Sequence, residues 1–234
     1  MIKLATSWLR RGLRSVLVGL SFIIMPAVAM PRRVSPERAH HPEPPTANAD
    51  RSVLIPNATW EQYKQVQEMV ETNGCGRVSL LWGWLEIMTV SKQHAELKKH
   101  LAHVIELYFM HLDIEYFAFG EATLEKMADE TGRQPDESYC FNEKKVYPDL
   151  AIEIALTSGG LDKLEFYQQY GVTEVWIWEN QKLQIYVLGD SGYGAQEKSG
   201  WFPELDLECF VECMGMPSMR DARKKFLASL VGNS

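Results

Sequence analysis

Glu153 interrupts an otherwise apolar run, Leu150-Ala151-Ile152-Glu153-Ile154-Ala155-Leu156. Apolar residues on both sides of it describe a strand buried on both faces. A carboxylate in such a strand is tolerable when it is paired, hydrogen-bonded or bound to a metal. A second β-rich run, Ser138 to Asn142, comes just before, and the segment Asn142-Glu143-Lys144-Lys145 between the two has turn character. Two such runs joined by a short loop predict an antiparallel hairpin. With the turn centred near Glu143 or Lys144, the strand rise brings Asp136 of Pro135-Asp136 back beside Glu153. Pro-Asp is also ordinary turn chemistry, and Asp149, which follows Pro148 at the turn end of the same hairpin, is expected to lie away from Asp136.

Two carboxylates at one end of a hairpin suit a hard divalent cation. Such an ion takes one or two carboxylates and keeps water positions open for a substrate phosphate. The chain also offers a cation nearby. Thr157-Ser158-Gly159-Gly160 breaks the strand, Thr157 or Ser158 is placed to cap, and Leu161, Leu164 and Tyr167 follow at helical spacing until Gly171. Lys163 falls in the first turns of that helix, where an ammonium reaches back over the carboxylates to hold a phosphate or polarise the attacking water. A solvated helix lysine is the ordinary alternative.

From Val78 to Leu188, roughly half of the chain, these residues resemble the Uma-two family of restriction-endonuclease-like proteins, a branch of the PD-(D/E)XK nuclease superfamily, and especially its cyanobacterial-type members. The resemblance is carried by Leu85-Glu86-Ile87-Met88-Thr89 followed by His94, by Pro135-Asp136-Glu137-Ser138-Tyr139, and by Tyr147-Pro148-Asp149-Leu150-Ala151-Ile152-Glu153-Ile154. Lys163-Leu164-Glu165-Phe166-Tyr167 and Gly171-Val172-Thr173-Glu174-Val175-Trp176 complete it. Each motif is short; their order and spacing are what is specific. The resemblance implies a metal-dependent DNA endonuclease in which Asp136, Glu153 and the backbone carbonyl of Ile154 share a catalytic Mg²⁺ or Mn²⁺. It also implies that Glu86 is an outer metal ligand and that His94 touches phosphate or the nucleophilic water. The superfamily lysine normally stands two residues after the second acid, on the same strand face. Ala155 occupies that position here, which makes Lys163 the candidate replacement. The departure also keeps open a degenerate nuclease fold that binds DNA or a protein without cleaving.

The rest of the chain predicts one α/β domain with a mixed β-sheet flanked by helices, and the resemblance implies that its core is restriction-endonuclease-like. A hydrophobic share of 46% with seven tryptophans supports a sizeable single core. Glu174 to Trp178 and Leu183 to Leu188 read as a further hairpin, Ser191 to Gly194 as a loop, and Met219 to Leu230 as a closing helix. The four cysteines, at 75, 140, 209 and 213, have no zinc-site spacing and read as reduced thiols. Residues 1–30 have the grammar of a signal peptide, with Lys3, Arg10, Arg11 and Arg14 ahead of a short apolar run. An over-extended start, with Met25 or Met30 as the first residue, explains them equally well. Residues 31–52 read as a Pro-rich disordered linker, and residues 53–234 as the nuclease domain, starting near Val53. A cytoplasmic domain without stable membrane association is expected, with export or anchoring through the leader as the alternative.

Charge excludes a generic DNA-coating protein. Residues 46–234 hold 17 Lys and Arg against 29 Asp and Glu, a net charge of −12. Non-specific affinity grows with phosphate neutralisation, so DNA binding is expected to need a divalent ion, a second subunit in a homodimer or a local basic patch. Lys92, Lys98, Lys99, Lys126, Arg133 and Lys163 are the candidate phosphate contacts.

Overall fold

Thr59 and Gln62 form a reciprocal capping box that starts the first helix, and Gly74 in the left-handed region stops it. The computed structural model describes residues 50–74, 76–156 and 162–232. The chain divides into a unit of residues 1–43, none of them described, and a unit of residues 44–234, to which all the described residues belong. In chain order the elements are β1 (Arg51–Ile55), α1 (Trp60–Asn73), β2 (Arg77–Leu81), β3 (Trp84–Thr89), α2 (Lys92–His111), β4 (Tyr116–Ala118), β5 (Leu124–Lys126), β6 (Thr131–Arg133), β7 (Glu137–Phe141) and β8 (Leu150–Ala155). They continue with α3 (Lys163–Gln169), β9 (Glu174–Glu179), β10 (Lys182–Gly189), β11 (Gly192–Gln196), α4 (Leu207–Met214) and α5 (Met219–Gly232).

The strands form two sheets where the sequence suggested one. An antiparallel sheet runs β1-β3-β2-β6-β5, and a mixed sheet runs β11-β10-β9-β8-β7-β4. The mixed sheet contains the expected hairpin, with Glu137 opposite Ile152 and Tyr139 opposite Leu150. Its one parallel pair, β8 with β9, arises because α3 carries the chain back across the sheet. The β9–β10 hairpin also forms, turning on Asn180 and Gln181, both at positive φ. Two local expectations are corrected. Residues 192–196 form strand β11 on β10 instead of a loop, since an edge strand needs only backbone groups and tolerates Gly192 and Gly194. The cap of α3 is Asp162, whose carboxylate accepts from the Leu164 and Glu165 amides, and the helix starts at Lys163. The proposed caps Thr157 and Ser158 lie outside the described residues. Arg51–Ile55, around the expected start near Val53, pairs with β3 as an edge strand.

The main core lies between the mixed sheet and helices α2, α4 and α5. Phe109 sits at its centre, with ring contacts to Tyr116, Tyr139, Phe141 and Phe202 at 4.9 to 5.5 Å. A separate cluster seats α1 on the antiparallel sheet through Tyr63, Val70, Leu80 and Leu85. At Gly132 in β6 an added Cβ would meet the Tyr63 ring at 2.4 Å, so close packing there requires glycine. Cys140, Cys209 and Cys213 are buried free thiols, as expected for reduced cysteines, and Cys75 lies outside the described residues. Among the described residues no helix is long and apolar enough to cross a membrane.

Candidate active site

The β7–β8 register, continued by one step past Glu137, sets Asp136 opposite Glu153. Directly opposed residues of an antiparallel pair project to the same face, and both side chains are buried there. Asp136 is fixed by its own backbone, its amide donating to the Ile152 carbonyl at 3.2 Å. The Ile154 amide in turn donates to Asp136 Oδ2 at 2.6 Å. The alternation of main-chain groups along a strand turns the Ile154 carbonyl to this same edge. Asp149 lies away from the pair, as the hairpin argument requires, accepting from the Phe141 amide and from Lys145 at the turn end.

Each carboxylate has its own set of donors. Glu153 accepts from Arg133 in a fork, Nε to Oε1 at 2.8 Å and Nη2 to Oε2 at 3.0 Å. It also accepts from the Tyr167 hydroxyl, and the Lys163 ammonium stands 3.3 Å from Oε2. Burial pushes Glu153 upward, but the Arg133 and Lys163 charges, with the bonds from Arg133 and Tyr167, hold it well below the usual carboxylate range. Asp136 Oδ1 is shared by Arg77 and by His94 Nε2, the latter at 2.6 Å. Burial and the nearby Glu153 charge raise Asp136, and the His94 bond with the Arg77 and His94 charges more than offset them, so it too stands below its ordinary value. His94 Nδ1 is 2.6 Å from Asp50 Oδ2. Burial alone would lower His94, but the bonds to Asp136 and Asp50 push it up to about 9, so at neutral pH the ring is an imidazolium donating to both.

The network extends outward on both sides. Arg77 also donates through Nη2 to Glu121 at 2.6 Å, and Lys98 donates to the same Glu121 oxygen. Arg133 Nη1 is 3.4 Å from the Ser79 hydroxyl and 3.9 Å from Glu86 Oε2. Five carboxylates (Asp50, Glu86, Glu121, Asp136, Glu153) therefore face five cations (Arg77, His94, Lys98, Arg133, Lys163), and the charges balance.

The structure thus brings Asp136, Glu153, Lys163, His94 and Glu86 into one network, but not as five equivalent groups. Lys163 is on Glu153. Glu86 is joined to Glu153 only through the Arg133 guanidinium. His94 has no exposed surface and both ring nitrogens are occupied by carboxylates, so it braces Asp136 and does not face a phosphate. Arg133, expected as a phosphate contact, is instead the buried partner of Glu153. Lys126 is bound to Asp129 and Lys92 to Glu96. Among the described residues no three His, Cys, Asp or Glu side chains are grouped to hold a metal.

Sequence reasoning missed Arg77, Tyr167 and Asp50. Arg77 heads the otherwise uncharged run Arg77-Val78-Ser79-Leu80-Leu81, and the logic that singled out Glu153 applies to it as well. Tyr167 entered only as one of the positions at helical spacing. Asp50 carried no signal, since it lies 44 residues from His94 in a segment with linker composition.

Two sheets, a carboxylate pair across one hairpin and a lysine on the next helix define a restriction-endonuclease-like α/β protein. The chain belongs to the Uma2 family, described as "Putative restriction endonuclease", whose model matches residues 60–211. No curated protein matches it.

Proposed function

We propose that this protein is a metal-dependent endonuclease that hydrolyses phosphodiester bonds of DNA. The observation that carries this reading is the placement of Asp136 opposite Glu153 with the Lys163 ammonium on the latter. The donor set fits a hard divalent ion in kind and number. Both acids are held deprotonated, Asp136 Oδ2 takes one backbone donor, and Mg²⁺ needs no more than one or two carboxylates. Asp136 and Glu153 would hold Mg²⁺ or Mn²⁺, with the Ile154 carbonyl beside them and Glu86 as an outer group. The ion would supply a Lewis acid that lowers the pKa of a water and offsets phosphate charge.

The chain's own residues do the remaining work. Arg133 and Tyr167 fix the Glu153 carboxylate in one orientation, leaving Lys163 as its one partly exposed cation. Lys163 can therefore leave Glu153 for a phosphate oxygen, stabilising charge that develops there. His94, held from behind by Asp50, orients Asp136. Ala155, at the end of β8, contributes no charge.

A second reading, a degenerate nuclease fold that binds DNA or a protein, is favoured by one observation: the two carboxylates are already neutralised by protein cations. Plasmid cleavage with Mg²⁺ or Mn²⁺ separates the two. The nuclease reading expects cleavage that EDTA abolishes and that Asp136→Asn or Glu153→Gln abolishes with an unchanged circular dichroism spectrum. Wild-type protein that cleaves no substrate with either metal would leave the binding module.

A further inference from the structure

Glu121 is an exposed carboxylate held by two cations from different elements, one buried and one partly buried. It lies on the connection between β4 and β5, with its side chain 49% exposed, whereas Arg77 from β2 is 9% and Lys98 from α2 is 18% exposed. Arg77 Nη2 and Lys98 Nζ converge on the single oxygen Oε1. Arg77 is already matched in charge, because its Nη1 is bonded to Asp136. Burial raises the Glu121 carboxyl, and the Lys98 bond and the Arg77 and Lys98 charges lower it further than that. A groove of about 600 Å³ opens onto this point, passing Lys98, Lys99, His103 and Gly120. Glu106 and Glu137 also line the groove, which disfavours an anion away from the Lys98 and Glu121 end, behind which Arg77 reaches Glu121.

We propose that Arg77 and Lys98 form a pocket for a backbone phosphate of a nucleic acid, and that Glu121 fills it in the resting protein as an internal stand-in that the phosphate displaces. The pocket is one guanidinium away from Asp136, because Arg77 reaches Asp136 with one nitrogen and Glu121 with the other. A phosphate there would therefore sit beside the carboxylate pair. The exchange is favourable in kind. A half-exposed ion pair contributes little, while one guanidinium nitrogen and an ammonium converging on one point give a phosphate two charge-assisted bonds. Glu121 is half exposed on a turn between β4 and β5, so its side chain has solvent to move into. The proposal rests on the reading of the substrate as nucleic acid.

The test is binding, not cleavage. A fluorescein-labelled DNA duplex is titrated with full-length protein in EDTA at low salt and followed by anisotropy, and inorganic phosphate is titrated in parallel by calorimetry. Glu121→Gln is expected to tighten duplex binding roughly tenfold and to steepen its salt dependence by about one counterion. Glu143→Gln, the same charge change on the distant hairpin turn, should alter binding less than about twofold. Adding Lys98→Gln to Glu121→Gln should remove the gain. Unchanged binding by Glu121→Gln, an equal gain from Glu143→Gln, or a gain that survives Lys98→Gln overturns the pocket. Tighter binding of inorganic phosphate without tighter binding of duplex overturns the nucleic-acid assignment. A wild-type protein that never cleaves defeats the nuclease reading and leaves this one standing, and unchanged affinity in a protein that does cleave defeats this one alone.

Discussion

Replacing Arg133 by methionine tests how the carboxylate pair is held. The wild-type fork gives Glu153 two bonds, at 2.8 and 3.0 Å, in a site where the two side chains are 5% and 2% exposed. Arg133→Met keeps the bulk of the stem and leaves a buried carboxylate facing Lys163 and the Tyr167 hydroxyl. Removing one partner of a buried ion pair costs about 3–5 kcal/mol, and the remaining Lys163 places the expectation at the lower end, about 3 kcal/mol. Glu153→Gln in the same background removes the stranded charge and should restore about half of that loss or more, a coupling of about 1–3 kcal/mol in the double-mutant cycle. The pH dependence adds a second signature. In the wild type the Glu153 value is depressed, so its stabilisation is present above the unfolded value of about 4.3 and is lost as pH falls through the folded one. In Arg133→Met the folded value is expected to rise above about 4.3, so the penalty is full at neutral pH and fades as the medium falls toward about pH 4. Urea unfolding followed by tryptophan fluorescence at about pH 7.5 and about pH 4.5 reads both effects. A loss below about 1 kcal/mol at neutral pH, or no recovery with Glu153→Gln, would refute the claim that Arg133 neutralises Glu153.

Lys163→Ala should lower turnover by roughly 10² to 10³ with little change in urea midpoint, and Lys163→Arg should restore only part; normal single-turnover cleavage by Lys163→Ala would shift the role elsewhere. Introducing Ala155→Lys into Lys163→Ala asks whether position on the Glu153 strand face can substitute, with partial recovery of turnover as the expected result. His94, with its folded value raised to about 9, contributes stability that is fully present below its unfolded value of about 6.5 and is lost as pH rises through about 9; Asp50→Asn should lower the His94 value, read from the imidazole proton shifts by NMR, and a value unchanged from wild type would remove Asp50 as the brace. Phe109→Ala should cost about 3–5 kcal/mol in urea unfolding, because its fully buried ring has four aromatic neighbours. Gly132→Ala should shift β6 against Tyr63 and carry Arg133 with it, so a stability loss larger than an exposed-strand substitution gives, about 1–3 kcal/mol, is expected.

What the sequence alone determined is local. Glu153 in an apolar run, the turn at Asn142 to Lys145 and the Pro135-Asp136 step were enough to pair β7 with β8 and to place Asp136 across from Glu153, because a hairpin is specified by residues adjacent in the chain. The β9–β10 hairpin was legible for the same reason. Tertiary structure alone decided which cations meet those carboxylates. Arg77 and Asp136 are 59 residues apart, Asp50 and His94 are 44, and Arg133 reaches Glu153 only because β6 belongs to the second sheet, whose existence no local pattern announced. A basic side chain looks the same in sequence whether it is solvated or buried, and burying a charge requires a partner that the fold must bring from elsewhere. That is why Arg133 read as a surface phosphate contact and His94 as a phosphate ligand, when packing made one the clamp of Glu153 and the other the brace of Asp136.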